Sequence, residues 1–515
     1  MKENNSQNNV SASAQIAVNM VFSILAFVLN LMMSFFVTPY ITNKFGSEAY
    51  GFVKLANDFT SYAALFSIAL NSMASRFLMI ERANGRSENL RKYHSSLMLA
   101  NIVLSGIFIV PSILCVLLLD NLLSIPVALV VEVKLTFIIT FIAFLVNFAF
   151  STFSNCYYLT NKLSIASVRD TFMNLIKAAA IIMLFAFGAP KISYVAVGSL
   201  VSTVFVVIYN IVYTKKLLPD LKFNASSFDW EKLKQLLAAG IWNSITKLSQ
   251  IFSSGLDLLI ANLFIGTKEM GYLAVAKTVP NIIVSFNSTV ANVFSPNMME
   301  LYAKGEVDAL KQATKTAVKF MCLFVAIPNA ILIVMGEAFY SLWVPDQPSR
   351  LLCLLSILTV INSCITGPIG PLYQVFTITN KVKQSSIILI IYGFCCVLGS
   401  YTLLSITDLG VFSIVIVSLV GSVIVSLGYH LPFSAIYIGL PWYTFYPEIA
   451  KSVLSLAVQC VIGFVVTTII PVGDSWVMWF LGAFAATIAG AIANAFIILD
   501  QQERRTILEK FMRSK

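Results

Sequence analysis

The sequence predicts an all-α, polytopic membrane protein of about 14 transmembrane helices, built as two parallel-repeat six-helix lobes plus two C-terminal helices. Three observations predict it. First, 58% of the 515 residues are apolar, only 11% are charged, and the mean hydropathy is +0.84. A soluble domain carries about 25% charge, so this chain lacks the residues to cover a soluble surface. Second, apolar runs of about 20 residues, long enough to cross a bilayer as a helix, recur with short polar breaks along almost the whole chain. They do not alternate in polarity as barrel strands do. Third, two fragments recur in order at nearly one offset.

Taken in order, the runs fall near residues 16–38, 51–75, 95–118, 133–158, 171–188, 192–214, 238–264, 271–298, 312–335, 352–376, 385–406, 410–432, 446–470 and 475–499. The first is preceded by a polar stretch, Met1 to Ala14. It is too long for a signal-peptide core and lacks a clear cleavage site, so it reads as a retained helix. An even count places both termini on one side.

Basic residues choose the side. Arg76, Arg82, Arg86, Arg91 and Lys92 follow the second span, Lys162 and Arg169 the fourth, and Lys215, Lys216, Lys222, Lys232 and Lys234 the sixth. Lys304, Lys311, Lys381 and Lys383 follow the eighth and tenth, and the tail carries Arg504, Arg505, Lys510, Arg513 and Lys515. The opposite loops hold only Lys44, Lys191, Lys268 and Arg350. This positive-inside pattern predicts cytoplasmic termini. The formal charge of +10 is accounted for by these loops and by anionic head groups, with no nucleic acid as partner. Ser227–Gln235 and Gln502–Lys515 set apolar residues against cations and read as surface amphipathic helices.

The repeat divides the chain. Gly46-Ser47-Glu48-Ala49-Tyr50-Gly51-Phe52-Val53-Lys54-Leu55-Ala56 matches Gly266-Thr267-Lys268-Glu269-Met270-Gly271-Tyr272-Leu273-Ala274-Val275-Ala276, a shift of 220 from Gly46 to Gly266. Leu159-Thr160-Asn161-Lys162-Leu163 matches Ile378-Thr379-Asn380-Lys381-Val382, a shift of 219 from Thr160 to Thr379. The expected organisation is an N-lobe over 1–225, a C-lobe over 226–440, two helices over 441–500 and a cytoplasmic amphipathic tail over 501–515. Six spans per unit keep the units in the same orientation, about an axis along the membrane normal.

Ionisable residues inside spans cost about 2.5–3.5 kcal/mol each at the bilayer centre, so their positions carry information. Lys54 and Asp58 fall in the second span, Lys177 in the fifth, Lys247 and Asp257 in the seventh and Lys277 in the eighth. Asn243, Lys247, Gln250, Ser254 and Asp257 step by three and four, which predicts one polar stripe along a helix. Lys277, Asn281, Ser288, Asn292 and Ser295 share a side in the same way. Each Asn or Ser taken alone also suits polar packing between helices. The stripe as a whole suits a wet cavity, and its lysine excess suits an anionic ligand such as a diphosphate.

The eight cysteines (Cys115, Cys156, Cys322, Cys353, Cys364, Cys395, Cys396 and Cys460) show no metal or redox spacing and read as packing residues. His94 and His430 read as incidental. There is no Walker A sequence, no nucleophile elbow and no metal cluster, so no catalytic residue, no metal and no enzymatic function are expected.

Several segments resemble the polysaccharide flippase branch of the multidrug/oligosaccharidyl-lipid/polysaccharide exporter superfamily. They are Thr38-Pro39-Tyr40, Phe45-Gly46-Ser47-Glu48-Ala49-Tyr50-Gly51, Gly240-Ile241-Trp242-Asn243, Gly255-Leu256-Asp257-Leu258-Leu259-Ile260, Val293-Phe294-Ser295-Pro296, Leu342-Trp343-Val344 and Glu503-Arg504-Arg505. The resemblance implies a V-shaped, two-lobed bundle with inward-facing and outward-facing states. It implies transfer of undecaprenyl-diphosphate-linked oligosaccharide, a polysaccharide or O-antigen repeat unit, to the outer leaflet of a bacterial plasma membrane. It further implies no cofactor beyond an H⁺ or Na⁺ gradient. Implied partners are the lipid-linked oligosaccharide, membrane lipids, and polysaccharide polymerase and chain-length proteins. Asp257 matches a recurrent acid of the family.

From spacing, the expected substrate contacts are Lys54, Lys177, Asn243, Lys247, Gln250, Lys277 and Asn281. Asp58 and Asp257 are the candidates to bind a coupling ion, with neutralisation of a lysine as their plainer role. The alternatives are a multidrug exporter of the same superfamily, which favours acidic cavities, and a flippase for the peptidoglycan lipid precursor. A major facilitator transporter lacks support in the loop after the second span. A polysaccharide polymerase or ligase needs a large outside loop, and the outside loops here are short.

Overall fold

The structure, a computed structural model, describes Leu25 and residues 28–160, 162–219, 221–501 and 503–504. Helices dominate it, and no described residue lies in a strand. The start of the first expected span and the expected amphipathic tail at 502–515 fall mostly outside the described residues. The chain forms two compact units that divide after Ile251.

Eleven described helices are long and apolar enough to cross a membrane. The expected spans without such a helix are the first, the seventh and the eighth. Helix α1, residues 28–45, overlaps the first over 28–38 and runs seven residues past its expected end. The seventh and eighth, which carry the polar stripes, are each divided into shorter helices.

In the first unit α1 is followed by α2 (Ser47–Asn71), α3 (Ser87–Leu117), α4 (Val130–Phe150), α5 (Leu163–Phe187), α6 (Tyr194–Leu217) and α7 (Trp230–Gln250). Helix α7 packs along α2, α4 lies against α3 and α6, and α5 lies against α6. Tyr93, Leu97, Phe148, Tyr157, Leu233 and Leu236 form the core. Leu233 was expected on a separate surface helix over Ser227–Gln235. Instead Asp229 caps α7, accepting from the backbone N–H of Glu231 at 3.0 Å and Lys232 at 3.3 Å. That cap starts a continuous helix, and the core takes its apolar face.

The second unit begins with α8 (Asp257–Phe264), α9 (Thr267–Ala276) and α10 (Thr278–Asn292). It continues with α11 (Val307–Trp343), α12 (Ser349–Val360), α13 (Ser363–Ile378), α14 (Val382–Ile406), α15 (Val411–Val425), α16 (Leu431–Tyr437), α17 (Tyr446–Ile469) and α18 (Trp476–Ile498). Helix α11, about 55 Å long by its rise per residue, is the spine, and α12, α13, α17 and α18 all pack on it.

Internal geometry repeats where the sequence does. Helices α2 and α9 both begin directly after the matched glycines, and Gly46 has φ 85°, a left-handed conformation that favours glycine. Helices α5 and α14 start at the matched Leu163 and Val382 and are both 25 residues long.

Large apolar side chains cover the outside of both units. Val127 is 93% exposed, Phe187 91% and Ile469 74%. Water would not tolerate a surface of this kind, and lipid does. The chain is a multi-pass membrane protein.

Candidate functional site

Lys54 and Lys177 come together in the first unit, and Asp257 and Lys277 in the second. In the first unit, a cavity of about 110 Å³ is lined from α1, α2, α5 and α6. Lys54 and Asn57 line it from α2, three residues apart and so on one face. Asn174 and Lys177 do the same from α5. The Lys54 ammonium lies 5.2 Å from the centroid of the Tyr50 ring, one turn back on α2. The Tyr50 hydroxyl accepts from Thr38 Oγ1 at 3.1 Å, which ties that ring to α1. Asp58 acts on Lys54 electrostatically but does not line the cavity. Lys177 is half-buried, and its ammonium makes no hydrogen bond or ion pair among the described residues.

In the second unit the charges are closed on each other. Residues Ile251–Gly255, with the sequence Ile-Phe-Ser-Ser-Gly, form a single π turn. Such turns displace carbonyls from the regular ladder. Two are taken up here. Ser253 O accepts from Ser418 Oγ at 2.7 Å, and Ser254 O accepts from the Lys277 ammonium at 3.0 Å. The same ammonium pairs with Asp257 Oδ2 at 2.6 Å, and the two side chains are only 15% and 10% exposed. Lys277 stands where α9 gives way to α10, within reach of both partners.

The π turn also breaks the expected stripe. Asn243, Lys247 and Gln250 share a face of α7, whereas Ser254 and Asp257 lie beyond the break. Asn243 donates to Ser72 Oγ at 3.1 Å. Gly240 allows the close approach behind that bond, because a Cβ there would stand 2.1 Å from the Ala69 carbonyl oxygen. Lys247 is half-buried, and its ammonium has no partner among the described residues. Gln250 and Asn281 are exposed, the latter one turn beyond Lys277 on α10.

Thus the structure joins Lys54 with Lys177, and Asp257 with Lys277. Sequence reasoning missed the part played by Tyr50, although its spacing of four from Lys54 was a usable signal. It also missed a buried amide pair. Asn101, fully buried, exchanges hydrogen bonds with Asn71 at 3.0 and 3.1 Å and donates to Thr152 Oγ1 at 2.9 Å and Ser151 Oγ at 3.1 Å. The histidines sit in aromatic surroundings, His94 beside Phe153 and His430 among Tyr373, Phe376 and Tyr429. Five of the eight cysteines are buried, and all are free.

Comparison with known proteins identifies the family. Residues 16–302, more than half of the chain and the stretch that holds every residue of the expected site, match the family described as polysaccharide biosynthesis protein. The chain belongs to that family. It is 25% identical over 505 residues to the uncharacterized membrane protein EpsK of Bacillus subtilis (strain 168), across 97% of this chain and 99% of that one. Among solved structures it resembles the lipid II flippase MurJ in an inward closed conformation, with TM-score 0.69 and 15% identity over 93% of this chain and 98% of that one. It also resembles the inward-facing conformation of a multidrug resistance MATE family transporter of the MOP superfamily, with TM-score 0.59 and 14% identity over 82% and 98%. At these identities the two structures show a shared fold.

Proposed function

We propose that the protein is a flippase that carries undecaprenyl-diphosphate-linked oligosaccharide from the cytoplasmic to the outer leaflet of a bacterial plasma membrane by alternating access. Family membership and the shared fold support a transporter role in polysaccharide biosynthesis. The observation that carries the choice of an anionic substrate is Lys247. It is a half-buried ammonium with no partner among the described residues, on a helix face that also presents Asn243 and Gln250. A cation left open in a spanning region favours an anion brought from outside the protein.

The geometry ranks the expected lysines. Lys277 is committed to Asp257, and Lys54 and Lys177 share a small cavity. Lys247 is therefore assigned the first contact with the diphosphate, and Asn243, Gln250 and Asn281 are assigned to the sugars. Asp257 acts as the counter-charge of Lys277 in the state described here. A coupling H⁺ or Na⁺ would compete with that ammonium for the same carboxylate. The positive-inside loops support cytoplasmic termini.

Deletion of the gene in its source, followed by extraction of lipid-linked intermediates and surface glycan, tests the proposal. The expected result is undecaprenyl-linked oligosaccharide accumulating on the cytoplasmic face with surface glycan lost, restored by the wild-type gene and not by Lys247→Ala. Unchanged glycan and lipid pools with raised drug sensitivity would instead identify an exporter. Accumulated peptidoglycan precursor would identify its flippase.

A further inference from the structure

The cavity of the first unit has a property that the transport reading does not use. Two ammonium groups, Lys54 and Lys177, line it, and no Asp or Glu lines it among the described residues. Lys54 is held by the Tyr50 ring and feels Asp58 from outside the cavity. Lys177 has no partner among the described residues. The neutral groups do not neutralise the charge. Asn57 Nδ2 donates to the Val53 carbonyl at 2.7 Å and Ser199 Oγ to the Val195 carbonyl at 3.0 Å, so each serves its own helix.

Size selects the ligand. A cavity of about 150 Å³ accommodates one benzene. At about 110 Å³, the space beside the two lysines matches one oxyanion of phosphate size. Two like charges in a low-dielectric wall repel each other and are costly to leave bare. One anion between them removes both costs, with the lysines acting as point charges.

We infer that the Lys54–Lys177 cavity is a binding site for one inorganic oxyanion of phosphate size. The site is independent of which lipid-linked sugar the protein carries. The bound anion acts as a fixed counter-ion that holds α2 and α5 together through their lysines.

The test uses the purified full-length protein in detergent and chloride-free buffer, titrated with inorganic phosphate while the thermal midpoint is followed. The midpoint is expected to climb with the logarithm of phosphate concentration once the site begins to fill. Lys177→Met should lose that climb, and Lys177→Arg should keep it. Asn174→Asp, which supplies a carboxylate on the same face of α5, should also lose it while folding normally without phosphate. A midpoint indifferent to phosphate, or a climb that persists in both Lys177→Met and Asn174→Asp, overturns the inference. So does a response to farnesyl diphosphate with none to phosphate, because that outcome hands the cavity to the lipid substrate.

Discussion

The two units share a repeat, yet they treat their intramembrane charges in opposite ways. In the second unit Lys277 meets Asp257 at 2.6 Å and also caps the Ser254 carbonyl. In the first, the positions that correspond by the repeat are Asn57 for Lys277 and Val37 for Asp257, and both line the lysine cavity instead. Lys177 corresponds to the buried Cys396 of the second unit. A common scaffold therefore holds a neutral pair in one copy and an excess of positive charge in the other. A duplicated fold can keep its packing while each copy takes a separate electrostatic role. A closed pair satisfies itself, whereas an open cation recruits a ligand.

Breaking the pair is expected to have the largest effect. Lys277→Ala strands a buried carboxylate, at a cost of about 3–5 kcal/mol, read as a fall in thermal midpoint in detergent. Adding Asp257→Leu should recover much of it. Lys177→Met in phosphate-free buffer should leave the midpoint unchanged or higher, because it removes a charge and strands none. If the two lysine variants fall equally, the contrast between the units is wrong.

Next come the neutral contacts. Asn101→Ala leaves the Asn71 amide and two hydroxyls short of a partner in the first unit. It should cost about 1–3 kcal/mol, measured by the same unfolding assay.

Two glycines sharpen the comparison of packing. A Cβ at Gly240 would press on the Ala69 backbone, and one at Gly490 would press on the Gln459 side chain. Overpacking costs about 1–3 kcal/mol. Gly240→Ala should lie at the upper end, because helix backbones yield less than a side chain that can rotate away. Equal losses would mean that α7 and α2 separate easily.

The smallest expected effect is at the end of the described chain. The Lys319 ammonium hydrogen-bonds Asp500 at 2.8 Å and holds that carboxyl below its ordinary range. A depressed carboxylate contributes above its unfolded pKa of about 3.9 and loses that contribution as pH falls through the lower folded value. Hydrogen exchange of residues 499–504 should therefore rise only in strong acid, and Lys319→Ala should raise it at neutral pH. Exchange that is insensitive to both would remove any anchoring role.

Much of this protein was legible in its sequence. Composition and run length were enough for an all-helical membrane bundle, because hydrocarbon accepts little else. The glycine-led repeat was readable as a repeat, and the structure shows that its matched glycines directly precede α2 and α9. The same kind of reasoning singled out Lys54, Lys177, Asp257 and Lys277, because charge in a spanning segment is conspicuous at any register. What the sequence could not supply was the partner of each charge. Steps of three and four assume an unbroken helix, and the π turn at Ile251–Gly255 interrupts that register before Asp257, which pairs with Lys277. Lys54 and Lys177 lie far apart in sequence and meet only because α2 and α5 pack around one cavity. Helix periodicity is a short-range property of the chain and could be read directly. Charge pairing depends on which helices touch, and tertiary packing alone decided it.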